Sequence, residues 1–171
     1  GYDKQTIKDA YDEVLDYLTL PNREFGTGVF PHSAEGASHF ADCKVLFDLN
    51  AAVLLVSLLG VVVLALLLRH GTFTLHRPRG LHPATVCGGS ILTAFAAVGG
   101  LAALNFDRAF EAFHAIFFPG KDNWLFDYRT DAIITAMPQE FFMNCALLIL
   151  SSVVVWSLAL IIYGICRCKK C

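Results

Sequence analysis

Residues 33–68 read SAEGASHFADCKVLFDLNAAVLLVSLLGVVVLALLL. The second half, Ala51–Leu68, is 18 residues without a charge, while the first half carries Glu35, His39, Asp42, Lys44 and Asp48. An uncharged apolar run of roughly 17–25 residues is what a helix needs to cross ~30 Å of hydrocarbon. Two more such runs lie further along: Ala84–Leu104 with 21 residues and Phe141–Ile165 with 25. The apolar share of 56% and the charged share of 16% agree with a membrane protein, since soluble chains sit near ~45–50% and ~25%. The expected fold is all-α, a polytopic membrane helical bundle with a small helical cap outside the membrane.

Charge sets the orientation. The loop RHGTFTLHRPRG carries Arg69, Arg77 and Arg79 without an acid, and the tail CRCKKC carries Arg167, Lys169 and Lys170 without an acid. The positive-inside rule assigns both to the cytoplasm. Residues 1–50 hold four basic and nine acidic residues, and 105–140 hold three and six, so both face outward. The resulting plan is a single membrane domain over 1–171. Residues 1–49 and 105–140 form the extracytoplasmic cap, 51–68, 84–104 and 141–165 are transmembrane helices, 69–83 is a cytoplasmic loop and 166–171 a cytoplasmic tail. Three spans with a cytoplasmic tail leave Gly1 outside, so an apolar helix ahead of Gly1 is expected in the full protein, giving four spans.

Local pattern fills in the cap. Ile7, Ala10, Tyr11, Val14, Leu15 and Leu18 recur at helical spacing and stop before Pro21, which predicts an amphipathic helix. Ser33 is the expected N-cap of the next helix, which runs on into the first span. Phe106, Phe110, Phe113 and Phe117 line one helical face ahead of Pro119-Gly120, and a short helix is expected near Thr130–Met137. Cys87 and Cys145 fall within spans as small hydrophobes; Cys166, Cys168 and Cys171 lack the fourth ligand of a zinc site and read as a juxtamembrane tail.

Chemistry concentrates at the outer mouth of the first span. On a helix Glu35, His39 and Asp42 lie within about 60° of one another from neighbour to neighbour, so they share a face. A carboxylate beside an imidazole raises its basicity and fixes its tautomer, which makes a general base. A solvated face with i, i+4 pairing is the alternative. His114 sits among Phe110, Phe113, Phe117 and Phe118, where an imidazole gains nothing from apolar packing, on the same side as His39. No G-x-S-x-G, H-E-x-x-H or P-loop occurs. What remains is acid–base chemistry without an enzyme nucleophile, a metal-dependent hydrolase holding its ion with Glu35, His39, Asp42 and His114, or a lipid- or protein-binding membrane protein without catalysis. The density of phenylalanine favours a pocket for a lipid or acyl group, lined by Phe110, Phe113, Phe117 and Trp124. Arg129 and Lys44 are weaker candidates for substrate polar groups, with ion pairs to Asp127, Asp131 or Asp48 competing.

These residues also carry a resemblance. The set Glu35-x3-His39-x2-Asp42-x-Lys44, the Phe113-His114 pair, and the run from Trp124 through Asp127 and Asp131 to Pro138-x2-Phe141-Phe142 resemble the bacterial integral membrane family of the lipoprotein intramolecular transacylase, Lit, from about Tyr17 to the last span. The resemblance implies four transmembrane helices with an extracellular cap. It implies transfer of the sn-2 acyl chain of a diacylglyceryl lipoprotein to the α-amino group of its N-terminal cysteine, giving a lyso-form lipoprotein. It implies catalysis by two histidines, His39 and His114, with Glu35 and Asp42 in support. Diacylated lipoproteins and membrane lipids are the expected partners, with no nucleic acid, no metal and no cofactor. Tyr128 stands where a proline is usual in that family, and Cys43 where a small apolar residue is usual.

Overall fold

In the computed structural model, residues 2–72, 74 and 76–168 are described, Arg79 by its backbone alone. The expectations placed on the Arg79 side chain, Lys169, Lys170 and Cys171 fall outside that set. Five helices order the chain: α1 (Lys4–Thr19), α2 (Ala34–Arg69), α3 (Pro83–Leu104), α4 (Phe106–Phe117) and α5 (Gln139–Cys168), with 3₁₀ turns at Pro78–Gly80 and Ala132–Ala136. Among the described residues there is no strand. Three helices, α2, α3 and α5, are long and apolar enough to cross a membrane.

Two compact units emerge, one from Gly1–Val61 with Ala112–Glu140, the other from Val62–Glu111 with Phe141–Cys171. In the first, Asp3 caps α1 by accepting from the N–H groups of Gln5 and Thr6. Ala10, Val14 and Leu18 recur every fourth residue and are buried, because i, i+4 spacing lines one face. That face packs on the Ala132–Ala136 turn, whose Ile133 is fully buried. The loop 20–33 returns across α1 at Gly28. Its φ of +58° and the 3.3 Å that would separate a Cβ there from the Ala10 side chain both favour glycine.

Ser33 is the N-cap of α2, as its sequence position predicts: its hydroxyl oxygen accepts from Gly36 N–H at 2.9 Å. Asp131 completes the cap by accepting from both the N–H and the hydroxyl of Ser33. The 36 residues of α2 span about 54 Å at ~1.5 Å per residue, well beyond ~30 Å of hydrocarbon. Its charged first half, residues 34–50, therefore lies outside the span, and residues 51–67 are apolar and exposed, as suits a helix surrounded by lipid or by other spanning helices. After Arg69 the helix ends in a Schellman turn: Thr72 N–H donates to Leu67 O and Gly71 N–H to Leu68 O, with Gly71 at φ +70°.

The second unit is held by close helix approach. A Cβ on Gly88 of α3 would lie 2.6 Å from Ser157 O of α5, one on Gly99 3.0 Å from Leu150, and one on Gly164 2.1 Å from Thr85 Oγ1. Positions rising along α3 thus meet positions falling along α5, an antiparallel pair brought together by small residues. His82, which the sequence places in the basic loop, caps α3 by accepting from Ala84 N–H at 3.2 Å, with Pro83 at the first helical position. Every buried large apolar side chain of the described residues belongs to the first unit. The spanning stretches keep their leucines and valines outside, as lipid requires.

Candidate functional site

His39 stands on the second turn of α2 and His114 on the last turn of α4, within the first unit. Each is 6% exposed. Their rings stack with centroids 5.6 Å apart and planes 30° from parallel. Trp124 stacks on His114 at 4.3 Å. Phe118 and Phe126 present edges to His39 at 5.0 and 5.5 Å, and Phe113 does the same to His114 at 5.5 Å. Two imidazoles are thus enclosed by four aromatic side chains.

The electrostatics of His39 reverse the sequence expectation. Asp42 is committed elsewhere: it forms an ion pair with Lys121 and accepts from Asn123 Nδ2 at 3.0 Å, so the Lys121 ammonium holds its carboxyl below the usual range. Glu35 is exposed and lines a cavity of about 410 Å³ with Ser33, Gly36, Asp127 and Asp131 rather than meeting the imidazole. Burial first, and the neighbouring His114 second, push His39 down to about 4, against smaller upward pulls from Asn123 and Asp42. A shared helix face is not a contact. His39 is made less basic by its surroundings, not more.

Its polar neighbour is Cys43, whose Sγ lies 3.4 Å from Nε2. Among the described residues Nδ1 and Asn123 Oδ1 are both buried and neither makes a hydrogen bond of good geometry, yet the Asn123 side chain acts on the ring as a hydrogen-bonding neighbour, which is the source of its upward pull. Asp42, Lys121 and Asn123 tie the loop between α4 and the Ala132–Ala136 turn down onto α2, with Asn123 Nδ2 also donating to Ser38 Oγ at 3.4 Å. Trp124 Nε1 donates to Lys121 O, which fixes the indole that covers His114.

The other anticipated residues divide. Phe113 and Phe117 pack on each other at 4.6 Å and are each nearly half exposed, an apolar surface beginning at His114. Phe110 belongs to the second unit, where its ring meets Phe142 at 5.5 Å. Arg129 is not among the groups around the histidines: its guanidinium lies 5.6 Å over the Tyr128 ring and donates to the Tyr128 hydroxyl, and its backbone N–H, not its side chain, meets Asp127. Lys44 donates to the carbonyls of Tyr17 and Leu20 at 2.7 and 3.0 Å instead of pairing with Asp48. Among the described residues no group of three or more His, Cys, Asp or Glu side chains is placed to hold a metal ion, so Glu35, His39, Asp42 and His114 do not converge as a ligand set.

Sequence reasoning missed Phe126, Asn123 and Lys121 as neighbours of the histidines, and the capping role of Asp131. Phe118 carried a signal, four residues after His114 and so on its face of the helix; the loop residues carried none, because PGKDNW has no periodicity to place a side chain.

The model of the lipoprotein intramolecular transacylase Lit family matches residues 1–142. Among solved structures, the membrane integral lipoprotein intramolecular transacylase Lit from Bacillus cereus is similar at a TM-score of 0.77 and 26% identity, over 98% of this chain and 74% of that one. A form of the same protein with a histidine-to-arginine mutation gives 0.72 and 26% identity over 98% and 72%. A histidine-to-alanine form shares the fold at 0.68 and 24% identity over 99% and 75%. A comparison with curated protein sequences gave no match. A multi-pass helical chain with this family match belongs to the lipoprotein intramolecular transacylase Lit family of membrane acyltransferases.

Proposed function

We propose that the chain moves the sn-2 acyl group of a diacylglyceryl-modified lipoprotein to the α-amino group of that lipoprotein's own N-terminal cysteine, leaving the lyso-form product. The observation that carries this reading is the buried His39–His114 stack in a chain of this family. The substrate amine attacks the ester carbonyl, a C–N bond forms, and the C–O bond to the sn-2 glyceryl oxygen breaks. The ammonium sheds one proton to solvent before attack, and the nitrogen sheds a second as the amide forms, which goes to the departing oxygen; no cofactor is required for that balance.

The two histidines take different parts. An imidazole held down to about 4 accepts a proton poorly from an ammonium of pKa ~8, so His39 acts as a neutral N–H donor to the tetrahedral oxyanion. His114 takes the proton from the amine and returns it to the glyceryl oxygen. The base is thus His114 and not the carboxylate-assisted imidazole that the shared helix face of Glu35, His39 and Asp42 suggests. Amine and ester belong to one molecule, so much of the rate comes from holding them in a near-attack shape, an effect that reaches about 7–11 kcal/mol in well-oriented systems. Phe113 and Phe117 hold the acyl chain; Trp124 closes over His114; Arg129 with Tyr128 meets the polar part of the lipid. The site faces the extracytoplasmic side, a reading supported by the acid-rich segments 1–50 and 105–140 against the basic loop after Arg69.

The test is co-expression of the full-length protein with a diacylated lipoprotein and mass spectrometry of the lipoprotein N-terminal peptide. Lyso-form product is expected from the wild type and none from His39→Ala or His114→Ala. Persistent product from either variant removes that residue from the mechanism.

A further inference from the structure

We propose that Cys43 is a positioning residue for His39: its thiol donates to Nε2 and so fixes the ring as the tautomer that carries hydrogen on Nδ1. The inference rests on the reading of His39 as a neutral donor and states how the chain enforces that state.

A neutral imidazole has one N–H and one lone pair, and the partner of one nitrogen decides which role the other plays. Cys43 lies one turn after His39 on α2, and its Sγ is 3.4 Å from Nε2. Phe118, Phe126 and His114 pack on the rest of the ring, and the Asn123 side chain is its other polar neighbour. Sulfur is a weak acceptor and an unprotonated imidazole nitrogen a strong one, so the favourable direction is S–H to Nε2. Burial, with Asp42 adding to it, pushes the Cys43 thiol up to about 11, which keeps it protonated at neutral pH. The hydrogen of the ring then sits on Nδ1, a buried nitrogen that makes no hydrogen bond of good geometry among the described residues, with the Asn123 side chain as its polar neighbour. A donor so incompletely satisfied in a dry site can turn to an arriving oxyanion. The charged and titratable groups around the ring, namely His114 on α4, Asp42 on α2 and Lys121 in the loop that carries Asn123, act on the charge of His39 through space, whereas Cys43 Sγ meets one named nitrogen.

The experiment uses full-length protein in detergent micelles, with ¹⁵N-labelled histidine assigned through His39→Gln. In the wild type at neutral pH, His39 is expected to show a protonated Nδ1 and an unprotonated Nε2. Cys43→Ala removes the thiol from Nε2, and the ring is expected to move toward the Nε2–H form that free imidazole prefers. Transacylation then slows roughly five- to tenfold, about what one neutral hydrogen bond contributes, with the thermal midpoint little changed. Cys43→Ser restores an O–H donor and is expected to recover both the Nδ1–H signature and most of the rate. A wild-type ring protonated on Nε2, or a Cys43→Ala ring with the wild-type tautomer, overturns the proposal. If His39→Ala keeps full activity while the tautomer follows Cys43 as described, the positioning stands and the catalytic reading of His39 falls; the nitrogen spectra separate the two.

Discussion

Replacing Gly36 with alanine sets two physical effects against each other at the start of α2. Helix propensity alone favours alanine by about 0.5–1 kcal/mol inside a helix. Geometry opposes it: the new Cβ would lie 2.1 Å from Asp131 Oδ1 and 3.1 Å from the Phe126 ring. A flexible carboxylate would simply swing away. This one accepts from Ser33 N–H, Ser33 Oγ–H and Thr130 Oγ1–H and is 4% exposed. Moving it breaks the cap, worth about 0.5–2 kcal/mol, and strands buried donors at about 1–3 kcal/mol. Allowing for the propensity gain, Gly36→Ala is expected to destabilise by about 0.5–4.5 kcal/mol. Phe126 is also edge-on to His39, so transacylation falls along with stability. Thermal unfolding of the full-length protein in detergent, paired with the lipoprotein mass assay, measures both. In a double-mutant cycle, Gly36→Ala adds little once Asp131 is already Ala, since the displaced carboxylate is gone. A variant as stable as wild type, or a fully additive cycle, would show that the Asp131 carboxylate is not what resists the added methyl.

Lys44→Met removes the ammonium that ties the α1 carbonyls of Tyr17 and Leu20 to α2; charge-assisted bonds of this kind set the expected loss at about 1–2 kcal/mol, read as a lower thermal midpoint. His39 stays neutral in the fold down to about 4 but takes a proton near ~6.5 once unfolded. Its stabilising contribution is therefore complete above a pH of ~6.5 and lost as pH falls toward ~4; His39→Phe is expected to flatten that part of the stability profile, and an unchanged profile counts against the buried neutral ring. Gly164→Val places a side chain 2.1 Å from Thr85 Oγ1 and 2.8 Å from its backbone nitrogen, so α3 and α5 must separate, at about 1–3 kcal/mol, measured by thermal unfolding in detergent.

The parts of the fold legible in the sequence are those written in period or length. The uncharged runs give α2, α3 and α5, the spacing of Ala10, Val14 and Leu18 gives α1, and the phenylalanine series gives α4 to its end at Phe117. Ser33 is legible as a cap because capping chemistry is local. His39 and His114 are legible as a pair because polar rings amid apolar neighbours need a reason to be there. What escaped is set by long-range pairing. Asp42 and His39 share a helix face, yet Lys121 and Asn123, from a loop far along the chain, claim the carboxylate. The sign of the His39 shift was lost with it: charge pairing can be guessed from one helix, whereas burial depends on Phe118, Phe126 and His114 arriving from other segments.

Burial is also what suits such a site to aminolysis rather than hydrolysis. An ester within reach of a basic imidazole at a membrane surface meets water far more often than it meets one particular amine, so a strongly basic, solvated histidine would favour cleavage. In the proposed reaction the rings at 6% exposure, closed in by Trp124, Phe118 and Phe126, leave the substrate's own amine as the nucleophile already in place, and strengthen each N–H bond to the oxyanion by excluding solvent. The cost is a lower proton affinity at His39, and the proposed division of labour follows from it: His39 as a fixed donor, His114 as the group that moves the proton. Widening the enclosure separates these effects. Trp124→Ala uncovers His114 while leaving both imidazoles in place, so it is expected to raise the share of free fatty acid relative to lyso-form lipoprotein as well as to slow the total. A slower reaction with an unchanged product ratio would mean that the indole positions the acyl chain and does not exclude water.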